Sequence, residues 1–289
     1  KGLIDSSSFY PAEVKTPADR LRYYSDQFPL AEIDSSYHYF PTRNNVALWL
    51  DNTPPGFVFD IKVFSLFTQH PTQPGTIPRS LREKFGDAIP KQGNLYHHHL
   101  PPEALDELWR IFREAVGPIQ AAGMLGAIVF QFPPWFHHSQ GNLDYMAQCR
   151  ERLPQHRMAV EFRQPGWLDE QNAEGTLAFL RRQGITMVCV DEPQGLPSSV
   201  SPIAKLTAPL GIVRFHGRNL ENWEKKGIAG SERFNYLYSD AELKEWLPGI
   251  RRMAEQAEEL HLVFKNKAQD FPVRNAEAMS KLLKGHSAL

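Results

Sequence analysis

Two hydrophobic periods alternate along this chain. Short apolar runs with a period of two occupy residues 30–35, 58–64, 126–133, 158–163, 185–191, 211–218 and 261–266. That is the period of a strand, whose side chains point alternately to its two faces. Between the runs, apolar residues recur at helical spacing over about 17–28, 44–51, 102–122, 142–153, 169–183, 240–260 and 273–284. The stretch at 102–122 puts Leu105, Leu108, Trp109, Phe112 and Val116 on one face. Start signals support these helices: Thr16 before Pro17, with Asp19 in the first turn, and the Ser239/Glu242 capping box. Gly184 and Gly285 mark two stops.

Seven strands alternating with helices predict parallel pairing through βαβ crossovers. The chain opens with an irregular stretch, 1–11, and then a helix, as though a first strand had been removed. Adding that strand gives eight βα units. The predicted fold is therefore α/β, a TIM-like (β/α) barrel in one domain whose first strand is missing. A doubly wound open sheet is the alternative, but no glycine-rich phosphate loop follows any strand. Two excursions interrupt the pattern, at about 65–101 and 219–238. The first carries Tyr96-His97-His98-His99. Consecutive histidines converge poorly on one ion, so this run reads as a solvated loop.

The alternation also locates a site. In a barrel, one strand face meets the helices and the other points inward. With the continuous apolar face outside, the inward strand ends are Asp34, Lys62, Gln131, Arg163, Asp191, His216 and Asn266. Glu32, Glu161 and Arg214 lie one step deeper. All sit toward C-terminal strand ends, where barrel active sites are built.

The 289 residues suffice for a sizeable core, and 42% of them are hydrophobic. A formal net charge of -1 supplies no global basic field for nucleic acid or an anionic membrane. Arg218, Lys225, Lys226 and Arg233 do make the second excursion locally basic. No apolar stretch is long enough to span a bilayer, and there is no signal peptide, so a cytoplasmic location is expected. The two cysteines, Cys149 and Cys189, read as buried, reduced thiols.

Several motifs, in order, resemble those of the YecE-like family, a domain of unknown function (number 72). They are Glu32-Ile33-Asp34-Ser35-Ser36-Tyr37, Phe130-Gln131-Phe132-Pro133-Pro134, Val160-Glu161-Phe162-Arg163 with Pro165 and Trp167, Arg214-Phe215-His216-Gly217-Arg218, and Arg274-Asn275-Ala276. The resemblance implies a TIM-like barrel and carries no established activity. The family's usual opening strand, with Gly-Thr and a Trp, is absent here. Lys265-Asn266-Lys267 stands where paired asparagines are more usual. The family's likeness to endonucleases that cut at abasic sites is one of fold alone.

Three readings follow. The first is an enzyme, a hydrolase or isomerase, acting on a small polar, anionic substrate that is phosphorylated or sugar-like. Glu161, His216, Lys62 and Asp191 are its expected catalytic residues. Glu32, Asp34, Gln131, Arg163, Trp167, Arg214, Asn266 and His70 are its expected substrate contacts. Metal assistance would draw on Glu32, Asp34, Glu161, Asp191 and His216, whose oxygen-rich character suits Mg²⁺ or Mn²⁺. The second reading, a nucleic-acid-acting protein, is disfavoured by the near-neutral charge and the shortage of strand-end histidines. The third is a non-catalytic ligand-binding barrel.

Overall fold

The computed structural model describes residues 2–5 and 9–285. In chain order the elements are α1 (Gly2–Asp5), α2 (Pro17–Gln27), β1 (Leu30–Ile33), α3 (Arg43–Asp51), β2 (Val58–Lys62), α4 (Arg79–Lys84), α5 (Pro102–Ala121), β3 (Leu125–Gln131), α6 (Gln140–Glu151), β4 (Met158–Glu161), α7 (Ala173–Gln183), β5 (Thr186–Asp191), β6 (Leu210–Phe215), α8 (Gly230–Arg233), α9 (Asp240–Ala254), β7 (Glu259–Phe264) and α10 (Phe271–Lys284). Every described strand pairing is parallel. This is the α/β succession of a TIM-like barrel.

The predicted elements recur with small shifts at their ends. The N-terminal residues, expected to be irregular, include the short helix α1; residues 1 and 6–8 lie outside the described residues. The helix opened by the Ser239/Glu242 capping box stops at Ala254 rather than near residue 260. The chain is already extended from Glu259, whose predecessor Glu258 donates its N–H to the Pro209 carbonyl at 2.9 Å. Strand pairing thus claims residues whose apolar spacing suits a helix. The 65–101 excursion is not bare loop. It contains α4 and several single 3₁₀ turns, one of them at His97–His99. There His98 and His99 are exposed, while His97 lies edge-on to Tyr145 at 5.2 Å. Both cysteines are buried free thiols. Among the described residues no helix is long and apolar enough to cross a membrane.

The chain divides into two compact units. One comprises residues 15–133 and 140–158, with β1 to β3 pairing in chain order. Its core gathers around Trp109 of α5. The indole stacks on Phe67 with centroids 3.8 Å apart, and Phe112 and Phe130 complete the cluster. The β2–β3 register slips between Phe59 and Ile61. Buried Asp60 serves that irregularity, accepting from the Ala127 N–H at 2.8 Å.

The other unit comprises residues 1–14, 134–139 and 159–289, with β4 to β7 pairing in chain order. Strands β5 and β6 are buried along their whole length. Phe215 stacks on Phe264 and meets Trp246 of α9 edge-on at 5.5 Å. So Val213 and Phe215 face α9, and Arg214 and His216 turn to the opposite face of the sheet.

Trp109→Ala should lower stability by about 3–5 kcal/mol, since it removes a buried indole from a close-packed aromatic cluster. Urea unfolding of the full chain measures this. A loss below about 1 kcal/mol would show that the cluster collapses to fill the space.

Candidate functional site

The C-terminal ends of β4, β5 and β6 converge on one buried ionic cluster. Glu161 is the last residue of β4 and has no exposed side-chain surface. Its Oε1 lies 2.5 Å from Arg163 Nε and 3.2 Å from His216 Nε2, and its Oε2 is bound by Arg214 Nη1. Arg214 is fully buried and His216 nearly so. The fifth member is Glu192, just past β5. Its Oε2 accepts from Arg163 Nη1 at 3.0 Å and its Oε1 from the Val200 N–H at 2.8 Å. Of the five side chains only Arg163 keeps appreciable exposure, at 11%.

Glu161, Glu192 and His216 are each pushed in a definite direction. Burial alone would raise the pKa of Glu161, but Arg163, Arg214 and His216 together hold it well below the usual carboxylate range. Glu192 goes the other way. Burial dominates, the carboxylates of Glu161 and Asp191 add to it, and the single contact with Arg163 only partly offsets them. Its pKa rises to about 7. Burial and the Arg163 charge lower the His216 imidazole to about 3, against the pull of Glu161. Near neutral pH the cluster therefore contains a fixed carboxylate, two fixed guanidiniums, a neutral imidazole and one carboxyl poised to titrate.

Aromatic side chains from the 219–238 excursion lie against this cluster. Trp223 sits 5.5 Å from the Arg163 guanidinium and 6.3 Å from the His216 ring, and Phe234 is 6.0 Å from that ring. Arg233 holds the excursion together by donating to the carbonyls of Trp223 and Lys225. Lys225 itself pairs with Glu221 and Asn222. Much of the local basic charge is thus spent inside the loop. A groove of about 360 Å³ is lined by Glu192 together with Asp191, Arg218 and Glu245, and by Pro193 and Leu220; of the five cluster side chains only Glu192 borders it.

Asp191, expected to point inward, joins a different network. Its carboxylate accepts from Arg218 at 2.7 to 3.2 Å, from the Tyr238 hydroxyl at 2.6 Å and from the Trp246 indole at 2.5 Å. Those partners lie on the α9 side of the sheet. Alternation then sends the next residue, Glu192, to the side of the ionic cluster. Between His216 and Arg218, Gly217 has φ +92° and donates its N–H to Tyr238 Oη at 2.8 Å. A Cβ there would lie 2.7 Å from the Tyr236 Cβ, so only glycine fits.

The remaining expected residues are distributed as follows. Asn266 is buried and donates to the Tyr236 carbonyl and to Asn275 Oδ1. Trp167 is fully buried between Phe162 and Phe136, its indole N–H bonded to the Phe136 carbonyl at 2.6 Å; it packs the loop rather than lining an opening. In the other unit, the Lys62 ammonium lies 4.3 Å over the Tyr37 ring. His70 meets Tyr37 edge-on at 5.4 Å, and its Nδ1 hydrogen-bonds Thr68 Oγ1 at 2.8 Å. Glu32 lies on β1, Asp34 just beyond it, and half-buried Gln131 ends β3. Among the described residues no three His, Cys, Asp or Glu side chains form a group fit to hold a metal ion. At Glu161, guanidiniums occupy both carboxylate oxygens.

A succession of parallel βα units with a charged cluster at its C-terminal strand ends defines an α/β protein of the TIM-like barrel class. Residues 4–288 match the family model described as protein of unknown function DUF72, and the chain belongs to that family. It is 31% identical to the UPF0759 protein YunF of Bacillus subtilis (strain 168), over 98% of this chain and 92% of that one. Among solved structures it is similar to a DUF72 family protein from Thermotoga maritima MSB8, with 29% identity, a TM-score of 0.72 and coverage of 96% and 93% of the two chains. It is also similar to a DUF72 family protein from Enterococcus faecalis V583, with 25% identity, a TM-score of 0.76 and coverage of 91% and 88%.

The two titrations leave opposite marks on stability. Glu192 has a folded pKa of about 7, above the ordinary value of 4.5, so its contribution is fully present below pH 4.5 and is lost as pH rises through 7. His216 has a folded pKa of about 3, below the ordinary value of 6.5, so its contribution is present above pH 6.5 and is lost as pH falls toward 3. Between 4.5 and 6.5 the slopes oppose. Glu192→Gln removes the first. Its stability should then rise with pH about 1.4 kcal/mol per unit more steeply than that of the unaltered chain. Urea midpoints at several pH values across this window test it; parallel curves would refute the raised pKa.

Proposed function

We propose that this protein is an enzyme that performs acid–base chemistry on a small, polar, anionic substrate at the ends of β4, β5 and β6. The observation that carries this reading is the contact between a buried carboxyl tuned to about 7, Glu192, and the one accessible guanidinium of the cluster, Arg163. Glu192 exchanges the proton. Arg163 receives the anionic group of the substrate. Glu161 was expected to transfer protons, but its surroundings keep it ionised, so it serves to hold Arg163 and Arg214 in place. His216 was expected to be an acid or base; with a pKa of about 3 it enters as a neutral hydrogen-bonding imidazole. Acid–base catalysis of this kind contributes about 10²–10⁴-fold in rate.

A mixture of small phosphorylated and carboxylated metabolites, incubated with the protein and followed by mass spectrometry, tests the reading. The unaltered protein should consume or interconvert a member of the mixture. Glu192→Gln, folded by circular dichroism, should slow that change by at least about 10²-fold. Equal turnover by the variant would remove Glu192 from the chemistry.

A further inference from the structure

A guanidinium carries five N–H bonds. In Arg163, Nε lies 2.5 Å from Glu161 Oε1, an ion pair without hydrogen-bond alignment. Nη1 donates to Glu192 Oε2 at 3.0 Å. Nη2 faces the His216 ring nitrogens at 3.0 and 3.4 Å, and a neutral imidazole has one acceptor nitrogen, so it takes one hydrogen. Among the described residues hydrogen bonds account for two of the five, one on each terminal nitrogen; Nε–H is buried against Glu161, and one hydrogen is left on each terminal nitrogen. Two N–H bonds on adjacent nitrogens are the donor pair that binds two oxygens of one carboxylate, sulfate or phosphate group. Trp223 backs the guanidinium at 5.5 Å.

Charge decides what else must happen. Glu192 is buried, and its neighbours are Arg163 at 3.0 Å, the Val200 N–H at 2.8 Å and the carboxylates of Glu161 and Asp191. Glu161 is neutralised by Arg214 as well as Arg163, with neutral His216 beside it, and Asp191 is paired with Arg218. Among the described residues Arg163 is thus the single cation in contact with Glu192. An incoming anion on Arg163 puts a second negative charge against the Glu192 carboxylate in a water-poor site, which favours its protonated form.

We propose that Arg163 is a two-point receptor for an oxyanion group, and that binding there takes up one proton from solvent at Glu192. The proposal rests on the roles given to these two residues above and adds the ligand class and the coupling. Glu192 gains the proton as the anion arrives and gives it back as the anion leaves. The bound state therefore presents a carboxylic acid, not a carboxylate, beside the anion. Since Glu192 already holds its proton at pH 6, uptake should be small there and should approach one per anion at pH 8.

Titration calorimetry of the full chain with sulfate tests this. Sulfate does not titrate in the range used, and two buffers of different ionisation enthalpy report the proton count. The expected result at pH 8 is uptake of nearly one proton per sulfate, with an affinity several-fold weaker than at pH 6. Glu192→Gln should bind sulfate at both pH values with equal affinity and no uptake. Arg163→Lys keeps the charge beside the two carboxylates, and so the fold, but loses the donor pair; it should bind at least tenfold more weakly. Sulfate bound in an Arg163-dependent way without proton uptake overturns the coupling and leaves the acid–base reading in place. No sulfate binding, or binding that Arg163→Lys does not weaken, overturns the receptor together with the anion subsite of the proposed enzyme.

Discussion

The buried carboxylate of Glu161 is the constraint on which the rest of the cluster depends. It has no contact with solvent, and an ionised carboxylate in that position costs several kcal/mol unless cations and donors surround it. Arg163, two residues past the end of β4, and Arg214, in β6, meet this need. Arg214 is in turn a fully buried guanidinium, and Glu161 is the carboxylate that makes it tolerable. The pairing thus ties the end of β4 to the end of β6. Once both guanidiniums are present, a protonated His216 would be a third cation against one carboxylate. The imidazole therefore stays neutral.

The same accounting explains why two glutamates touching one arginine behave differently. Glu161 has two guanidiniums and the His216 ring around it. Glu192 shares Arg163 and otherwise meets a backbone N–H and two further carboxylates. Equal burial then yields opposite shifts. A pair of carboxyl groups driven apart in this way is the usual basis for giving one a structural charge and the other a mobile proton. Electrostatics alone makes this distinction, since the two side chains are chemically identical.

Much of this was legible in the residue pattern, and the failures have identifiable causes. Val160-Glu161-Phe162-Arg163 and Arg214-Phe215-His216 alternate apolar with charged residues. That alternation correctly predicted that Glu161, Arg163, Arg214 and His216 share a face. In β5 the pattern carried no such information. Thr186 to Asp191 is buried on both faces, so apolar residues cannot say which face meets α9. Asp191, as the charged residue at the strand end, was the natural choice, and the residue that reaches the cluster is the next one. Trp167 was ambiguous for another reason: an aromatic after a strand can pack or bind, and the pattern does not show its packing between Phe136 and Phe162. The direction of each pKa shift was beyond reach, because it depends on how many guanidiniums surround each carboxyl.

The two faces of the sheet are nonetheless one device. On one side Asp191 gathers Arg218, Tyr238 and Trp246; on the other Glu192 meets Arg163. In the adjoining strand His216 faces the cluster, Gly217 donates to Tyr238, and Arg218 returns to Asp191. The His216 N–H bonds the Asp191 carbonyl at 2.8 Å, so the two segments are in register where they change face. Adjacent residues on opposite faces cannot move independently, and the α9-side network therefore fixes the backbone from which Glu192 and His216 project. The proton-transfer role proposed for Glu192 would draw on this doubly anchored backbone, which keeps the carboxyl at its distance from Arg163 without spending binding energy on ordering it. The hydrogen bonds of Asp191, whose side chain joins the α9-side network, are in this way part of what tunes Glu192.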